Sequence, residues 1–112
     1  MTTPTTKTDT IRDLNDALRR TFVGGTVVVT AGIEALAADP RRAILAKVRE
    51  FDAFSDDNDL YDEHDLGTVE ECGDYCLWRI DYFDRAMTAH SPDPADPSLT
   101  TRVLTIMLTE EY

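Results

Sequence analysis

Residues 51–67 concentrate most of the side chains in this chain that could carry chemistry. Their sequence is FDAFSDDNDLYDEHDLG, and between Asp52 and Asp65 it contains seven carboxylates, one of the two histidines of the chain and no basic residue. Carboxylates at this density repel one another unless water, a cation or a basic partner compensates them. The stretch is therefore a solvated loop, a metal site or a surface for a positively charged partner.

A site for a hard cation is one chemistry that these residues permit, since Ca²⁺ and Mg²⁺ take several oxygen ligands. The calcium-loop pattern fails, because counting from Asp56 places Tyr61 where the turn needs glycine, and counting from Asp57 places Thr68 where glutamate is needed. A site of another design would combine loop residues with two later carboxylates. Its candidate ligands are Asp57, Asp59, Glu63, His64, Asp81 and Asp84.

A small hydrolase is a second alternative, with His64, between Glu63 and Asp65, as the candidate general acid. Catalysis also needs a nucleophile or a metal, and a group that stabilises the developing charge. The sequence has no phosphate-binding glycine loop, no nucleophile elbow and no paired-histidine metal motif. No catalytic residue is assigned, and the sequence argues against an enzyme more than for one.

A protein-binding surface is the leading interpretation of the acidic stretch. Dense carboxylates with Phe54 and Tyr61 among them would present both charge and aromatic anchors to a basic protein. The expected contact residues are Asp56, Asp57, Asn58, Asp59, Tyr61, Asp62, Glu63, His64 and Asp65. A second acidic patch, formed by Asp93, Asp96, Glu110 and Glu111, is expected to extend this surface. The alternative is that the charge serves solubility alone.

The net charge of −11 is unevenly distributed along the 112 residues. Residues 1–50 carry eight Lys and Arg against six Asp and Glu, whereas residues 51–112 carry three Arg against sixteen Asp and Glu. The acidic half repels phosphates, so direct binding of nucleic acid is not expected. No apolar run approaches the roughly 20 residues of a membrane helix, and the start lacks the apolar segment of a signal peptide, so we expect a cytoplasmic protein.

Two helices are predicted before the acidic stretch. Thr10 and Asp13 fit a capping box, so the first helix should begin near residue 10. The second should follow Asp39 and Pro40, a cap and a first-turn proline. Their apolar positions recur at helical spacing: Ile11, Leu14, Leu18 and Phe22 in the first, and Ile44, Leu45, Val48 and Phe51 in the second. Residues 1–9 are expected to form a flexible lead, and residues 10–112 a single domain.

The remaining elements are predicted to be strands. The β-branched run 26–30 predicts a buried strand, and Gly73-Asp74 predicts a hairpin whose second arm is 75–83. In this hairpin the two cysteines, Cys72 and Cys76, would face each other, with reduced thiols as the expected state. Residues 98–111 fit a helix or a strand: Asp96-Pro97 has the pattern of a helix start, but the alternation of apolar side chains favours the strand.

These elements predict an α+β domain in which two N-terminal helices cover one face of an antiparallel sheet of about four strands. Within this domain, Trp78 is expected to anchor the core. Arg102, one of only three basic residues in the acidic half, is expected to pair with a carboxylate such as Asp81, Asp84 or Glu111.

Five segments are distributed over nearly all of the chain after residue 10: IRDLNDALRRTF (11–22), GGTVVVTAGI (24–33), the acidic stretch (51–67), WRIDYFD (78–84) and SPDPADPSLTTRVLTIMLTEEY (91–112). These segments resemble the family known as DUF3768, small bacterial proteins of unknown function. The resemblance implies a single domain without an established activity, so no catalytic residues carry over. It also implies a setting among plasmids and other mobile elements, and hence an accessory or anti-defence role. Leu60 departs from the family pattern, which tends to have proline after Asn-Asp.

Overall fold

A computed structural model, which describes residues 6–112, shows three helices and four strands. In chain order they are α1 (Lys7–Thr21), β1 (Thr26–Val29), α2 (Ala31–Glu34), α3 (Ala38–Glu50), β2 (Leu66–Glu71), β3 (Asp74–Phe83) and β4 (Thr101–Leu108). The α+β class is confirmed. Residues 1–5 of the expected flexible lead lie outside the described residues. Across residues 6–112, no helix combines the length and the apolar character that a membrane crossing requires.

The first helix begins at Lys7, before the predicted start near residue 10, because a different capping box is used. Thr6 Oγ1 accepts a hydrogen bond from the Asp9 amide at 3.1 Å, and the Thr6 amide donates to Asp9 Oδ2 at 3.2 Å. Thr10 lies inside the first turn instead, where its hydroxyl donates to the Thr6 carbonyl. The earlier box satisfies amides at the helix start and adds a turn to the helix.

The sheet has the strand order β1-β4-β3-β2, so the predicted number of strands is confirmed. Strands β2, β3 and β4 pair antiparallel, but β1 pairs parallel to β4, which makes the sheet mixed. The prediction of a buried first strand is wrong. β1 lies at an edge and its residues alternate between exposed and half-buried, because Val27 and Val29 face the core under the helices while Thr26 and Val28 face away from it.

The core lies between the helices and the face of the sheet that packs against them. Trp78 and Ile80 of β3, with Leu104 and Ile106 of β4, pack with three fully buried helical side chains, Leu18, Ile44 and Val48. Gly67 of β2 lies directly against the Trp78 indole, since a Cβ at this position would be 2.6 Å from Trp78 Nε1. The expected role of Trp78 as a core anchor is confirmed.

The hairpin between β2 and β3 is confirmed, but its turn lies one residue earlier than predicted. Glu71 pairs with Asp74, which leaves Cys72 and Gly73 as a two-residue turn with φ of 50° and 85°. Cys76 pairs with Val69 and is buried, whereas Cys72 is exposed in the turn. The two cysteines therefore do not face each other, and both are free thiols.

Candidate functional site

The acidic loop, residues 52–65, is held in one conformation by its own polar side chains. Asn58 Oδ1 accepts from the Ser55 amide and Asn58 Nδ2 donates to the Ala53 carbonyl, both at 2.9 Å. Asp59 Oδ1 accepts from the amides of Glu63 at 3.1 Å and His64 at 3.0 Å. Asn and Asp favour turns because their side chains replace backbone partners in this way. The loop therefore has a defined conformation, and its exposed carboxylates are held in fixed positions.

Helix α1 fastens this loop to the body of the protein. Arg12 Nη1 donates to the carbonyl and to Oδ2 of Asp62, at 3.0 and 2.9 Å. One turn further on, Asn15 Nδ2 donates to the Glu63 carbonyl at 3.0 Å and to the Tyr82 hydroxyl at 2.7 Å. The Tyr82 hydroxyl in turn donates to Glu63 Oε1 at 2.8 Å. Residues three apart on a helix share a face, so both anchors reach the loop together.

Arg102 extends this network into the interior, and its predicted carboxylate partner is wrong. Its Nε donates to Asn15 Oδ1 and its Nη2 donates to the Pro94 carbonyl, both at 2.6 Å. The guanidinium also lies 5.0 Å from the centre of the Tyr82 ring. Burial, followed by the hydrogen bond to Glu63 and the charge of that carboxylate, raises the pKa of Tyr82 far above its ordinary value, so the hydroxyl remains a donor.

His64 lies between two carboxylates, one from α1 and one from the loop. Its Nδ1 is 3.0 Å from Asp16 Oδ1, and its Nε2 is 3.6 Å from Asp59 Oδ2. The ring stacks on Phe54 with centroids 3.7 Å apart and planes 2° from parallel. Each ring nitrogen thus faces a carboxylate, and within residues 6–112 neither nitrogen is hydrogen-bonded to a hydroxyl or thiol.

Asp16 is shared between the histidine and the core. Besides His64, it accepts a hydrogen bond from Arg19 Nη2 at 3.0 Å. Arg19 is fully buried, and its Nη1 donates to the carbonyls of Val48 and Arg49 at the end of α3. A cation at a helix C-terminus satisfies carbonyls that have no partner within the helix. The position of Asp16, and through it His64, is thus fixed by the packing of α1 on α3.

A recess of about 160 Å³ opens beside His64. It is lined by Phe54, Ser55, Asp56, Asp59, Asp62 and His64. Ligand atoms of Asp59, Asp62 and His64 all lie within 4.8 Å of one another. Of the six predicted metal ligands, the structure therefore brings only Asp59 and His64 to this recess, and Asp62 joins them.

The other four predicted ligands are engaged elsewhere or exposed. Glu63 accepts from Tyr82, as above, and Asp57 is exposed. Asp81 Oδ2 lies 3.1 Å from Arg79 Nε, an ion pair without hydrogen-bond geometry. Asp84 accepts from the Thr88 amide at 2.9 Å, which lowers the pKa of Asp84.

A larger cleft of about 300 Å³ lies between the acidic loop and the sheet. Three of its side chains are exposed far beyond what is usual for apolar groups: Leu60 is 79% exposed, Tyr61 is 73% exposed and Tyr112 is 80% exposed. The rest of the lining is Asn58, Asp65, Leu66, Arg79, Ile80 and Asp81. Of the predicted contact residues, Asn58, Tyr61 and Asp65 thus line this cleft, and Asp56, Asp59, Asp62 and His64 line the recess.

Sequence reasoning missed Leu60 and Tyr112 as site residues. Leu60 lies inside the predicted loop, and an apolar residue among so many carboxylates is a sequence signal that could have identified it. Tyr112 is distant in sequence and reaches the cleft because a 3-10 turn, Thr109–Glu111, returns the chain after β4. Its ring lies 5.8 Å from the Arg79 guanidinium.

Asp65 is the carboxylate of the cleft that lacks a counter-charge. Burial raises its pKa, and the charges of Glu63, Asp59 and Asp81 raise it further. Between residues 6 and 112, no basic side chain forms an ion pair with Asp65. Ionised Asp65 is therefore held at an electrostatic cost that an incoming cation would relieve.

The expected second acidic patch does not form one surface. Asp93 and Asp96 precede β4 and Glu110 and Glu111 follow it, so eight residues of strand, roughly 26 Å, separate the two pairs. Asp93 lies 3.4 Å from Lys7 Nζ, and Glu111 accepts from the Thr30 hydroxyl and the Gly32 amide. Asp93 and Glu111 therefore link distant segments of the chain within the fold.

A family model described as "Protein of unknown function (DUF3768)" matches residues 29–111. No curated protein and no solved structure matches the chain.

Proposed function

This chain belongs to the DUF3768 family, and we propose that it is a protein-binding domain whose cleft beside Asp65 accepts a basic side chain of a partner protein. Leu60 and Tyr61 are the apolar anchors of this contact, and the carboxylates of the acidic loop surround them. The partner is still a basic protein, as the sequence suggests. The centre of the contact is now at Asp65, at one end of the predicted contact surface of residues 56–65.

The observation that carries this proposal is the combination of an uncompensated carboxylate and exposed apolar side chains in one cleft. Tight protein interfaces typically have a few aromatic or aliphatic anchors surrounded by polar groups. Tyr61 supplies an aromatic face for a cation and Asp65 supplies its counter-charge, whereas the Tyr112 ring in the same cleft already lies against the Arg79 guanidinium. An Arg or Lys side chain, with its apolar stem and charged end, matches both features.

The rigidity of the acidic loop also supports binding. Its hydrogen bonds to α1 and within itself fix Leu60 and Tyr61 before any partner arrives, which reduces the entropy lost on association. Asp52, Asp56 and Asp57 are exposed and form no ion pair within residues 6–112. Their field would draw a basic partner toward the loop and would weaken with added salt.

The chemistry of the partner points to a protein whose own ligands are anionic. A protein that binds nucleic acid presents Lys and Arg arranged for phosphates, and fixed carboxylates would compete for the same surface. We propose, with the same function, that this chain is a cytoplasmic bacterial protein associated with plasmids and with an anti-defence role. A nucleic-acid-binding partner would fit that setting.

The experiment is a peptide selection with a matched counter-selection. A random peptide library is selected on the wild-type protein and counter-selected on Asp65→Asn, and the enriched peptides are measured by calorimetry. Asp57→Asn is the control, because it removes the same charge from the same loop at a position outside the cleft. Asp65→Asn should retain the fold, since asparagine has nearly the same size and the half-buried Asp65 charge faces the like charges of Glu63, Asp59 and Asp81.

We expect enriched peptides to contain Arg or Lys beside an apolar residue. Their binding should weaken about tenfold or more in Asp65→Asn and in Leu60→Ser, but less than threefold in Asp57→Asn. Enrichment of peptides without basic residues, or equal losses in Asp65→Asn and Asp57→Asn, would refute the proposed cleft. In the second case the charge of the loop would act only as a diffuse field.

A further inference from the structure

The recess beside His64 carries an inference that is independent of the cleft. We propose that Asp59, Asp62 and His64 form a binding site for a divalent transition-metal ion, with Zn²⁺ as the best-matched species. The site uses a buried carboxylate, an oriented imidazole and an exposed carboxylate within a recess that is open to solvent.

The strongest support comes from the gap between Asp59 Oδ2 and His64 Nε2. Nδ1 must carry a proton to donate to Asp16, so in the neutral ring Nε2 is an acceptor. Asp59 Oδ2 is also an acceptor, lies 3.6 Å away, and has no hydrogen-bond donor within residues 6–112. The Asp59 side chain is only 4% exposed, and Asp59 and His64 both line the recess that opens to solvent. Two lone pairs therefore face each other where a positive species belongs.

The distance matches a metal ion. Two ligand atoms bound at about 2.1 Å and separated by 3.6 Å subtend an angle of about 118° at the ion, near the tetrahedral value. Asp62 is the third candidate ligand: Arg12 donates to its Oδ2, its side chain is 74% exposed, and a rotation of this side chain would bring a carboxylate oxygen, now within 4.8 Å of the other two ligand atoms, to the ion. The recess of about 160 Å³ leaves room for a water in the fourth position.

Asp16 and Phe54 have the roles that supporting residues take around metal-bound histidines. A histidine that binds a metal usually donates its other ring N–H to a carboxylate, which fixes the ring and raises its basicity. Asp16 does this for His64, and it is itself fixed by Arg19. The stacked Phe54 ring restricts rotation of the imidazole. The nitrogen ligand favours Zn²⁺ and its neighbours over Ca²⁺ and Mg²⁺, which prefer oxygen ligands.

The experiment titrates Zn²⁺ alone into protein stripped of metal with EDTA, and follows both calorimetry and the NMR signals of the two imidazole rings. His64→Gln and Asp62→Asn remove ligands, and Asp16→Asn removes the supporting carboxylate. Because Asp16 also pairs with buried Arg19, thermal unfolding of Asp16→Asn checks that this variant is folded. His90→Gln is the matched histidine control and Asp57→Asn the matched charge control. Asp59 is not substituted first, because its side chain also caps the loop.

We expect one Zn²⁺ per chain, a shift of the His64 ring signals, and no binding in His64→Gln. Affinity should fall about tenfold or more in Asp62→Asn and about 10- to 100-fold in Asp16→Asn, with both controls like wild type. Ca²⁺ and Mg²⁺ should not compete. The proposal is overturned if the His64 signals show a doubly protonated ring that excess Zn²⁺ leaves unchanged, since a proton then fills the gap. It is also overturned if His64→Gln binds Zn²⁺ like wild type.

Discussion

Substitution of Asn15 by alanine tests whether the buried polar network holds the acidic loop in place. Asn15 is fully buried and joins three groups: the Arg102 guanidinium, the Tyr82 hydroxyl and the Glu63 carbonyl. Alanine removes all three hydrogen bonds without adding a group that could replace them. The acidic loop then loses its central attachment to α1 and keeps the contacts of Arg12 with Asp62 and of Asp16 with His64.

The expected cost follows from what each partner loses. Arg102 Nε is a charged donor that loses its acceptor in the interior, and a hydrogen bond to a charged group contributes about 1.5–3 kcal/mol. Tyr82 still donates to Glu63, and the Glu63 carbonyl is only partly buried, so these two losses are smaller. We expect Asn15→Ala to lower the free energy of unfolding by about 3 kcal/mol, which corresponds to roughly 10 °C in Tm.

The assay is urea denaturation followed by tryptophan fluorescence. Trp78 is the only tryptophan and is fully buried, so its emission reports unfolding of the core. Asp13→Ala is the control, because Asp13 is an exposed residue on the same helix and its removal should cost less than about 0.5 kcal/mol. Hydrogen exchange at residues 59–64 should also become faster in Asn15→Ala, since the loop opens more easily.

A double-mutant cycle separates the network from simple loss of volume. Asn15→Ala combined with Tyr82→Phe should cost less than the sum of the single changes, with a coupling of at least about 0.5 kcal/mol. The reasoning is refuted if Asn15→Ala costs less than about 1 kcal/mol, or if the two substitutions are additive. Asn15 would then be a core residue of ordinary size without a role in positioning the loop.

Three further outcomes are expected. Tyr82 has its folded-state pKa raised by burial, so the stability that depends on its neutral form is complete below about pH 10 and falls by about 1.4 kcal/mol per pH unit above it. Tyr82→Phe should remove this slope from urea midpoints measured between about pH 9 and about pH 11, and an unchanged slope would contradict the assignment. Gly67→Ala should cost about 1–3 kcal/mol and shift the fluorescence of Trp78, because the new Cβ meets the indole at 2.6 Å; an unshifted spectrum and Tm would argue against that contact. Cys72→Asn should raise the free energy of unfolding by about 0.5–1 kcal/mol, because asparagine tolerates the positive φ of this hairpin turn, and a lower Tm would show that the turn is not as described.

The sequence predicted the elements whose residues carry a local pattern. Ile44 and Val48 recur at helical spacing, and Trp78 and Ile80 alternate along β3, so their buried faces could be predicted before any tertiary structure was known. The C-terminal strand was predicted from the same alternation, against a competing helix signal at Asp96-Pro97. That signal proved to start only the short 3-10 turn Pro97–Leu99.

Partners of buried polar groups were not predictable in the same way. Arg102 was expected to pair with a carboxylate because charge is the only partner preference visible in a sequence. Its partners, Asn15 and the carbonyl of Pro94, are an uncharged amide and a backbone group that carry no such signal. Asn15 and Asp16 were likewise not singled out, since their role depends on the packing of α1 against the loop.

What the sequence determined by itself is the class of the domain, its helices and strands, and the concentration of negative charge at residues 52–65. These follow from short-range spacing and composition, which act within one element. What only the tertiary structure decided is that the acidic loop has two different sides, a recess around His64 and a cleft around Asp65. That division depends on α1 reaching the loop from about 50 residues away and on Tyr112 returning after β4, and such contacts between distant segments are set by packing of the whole chain.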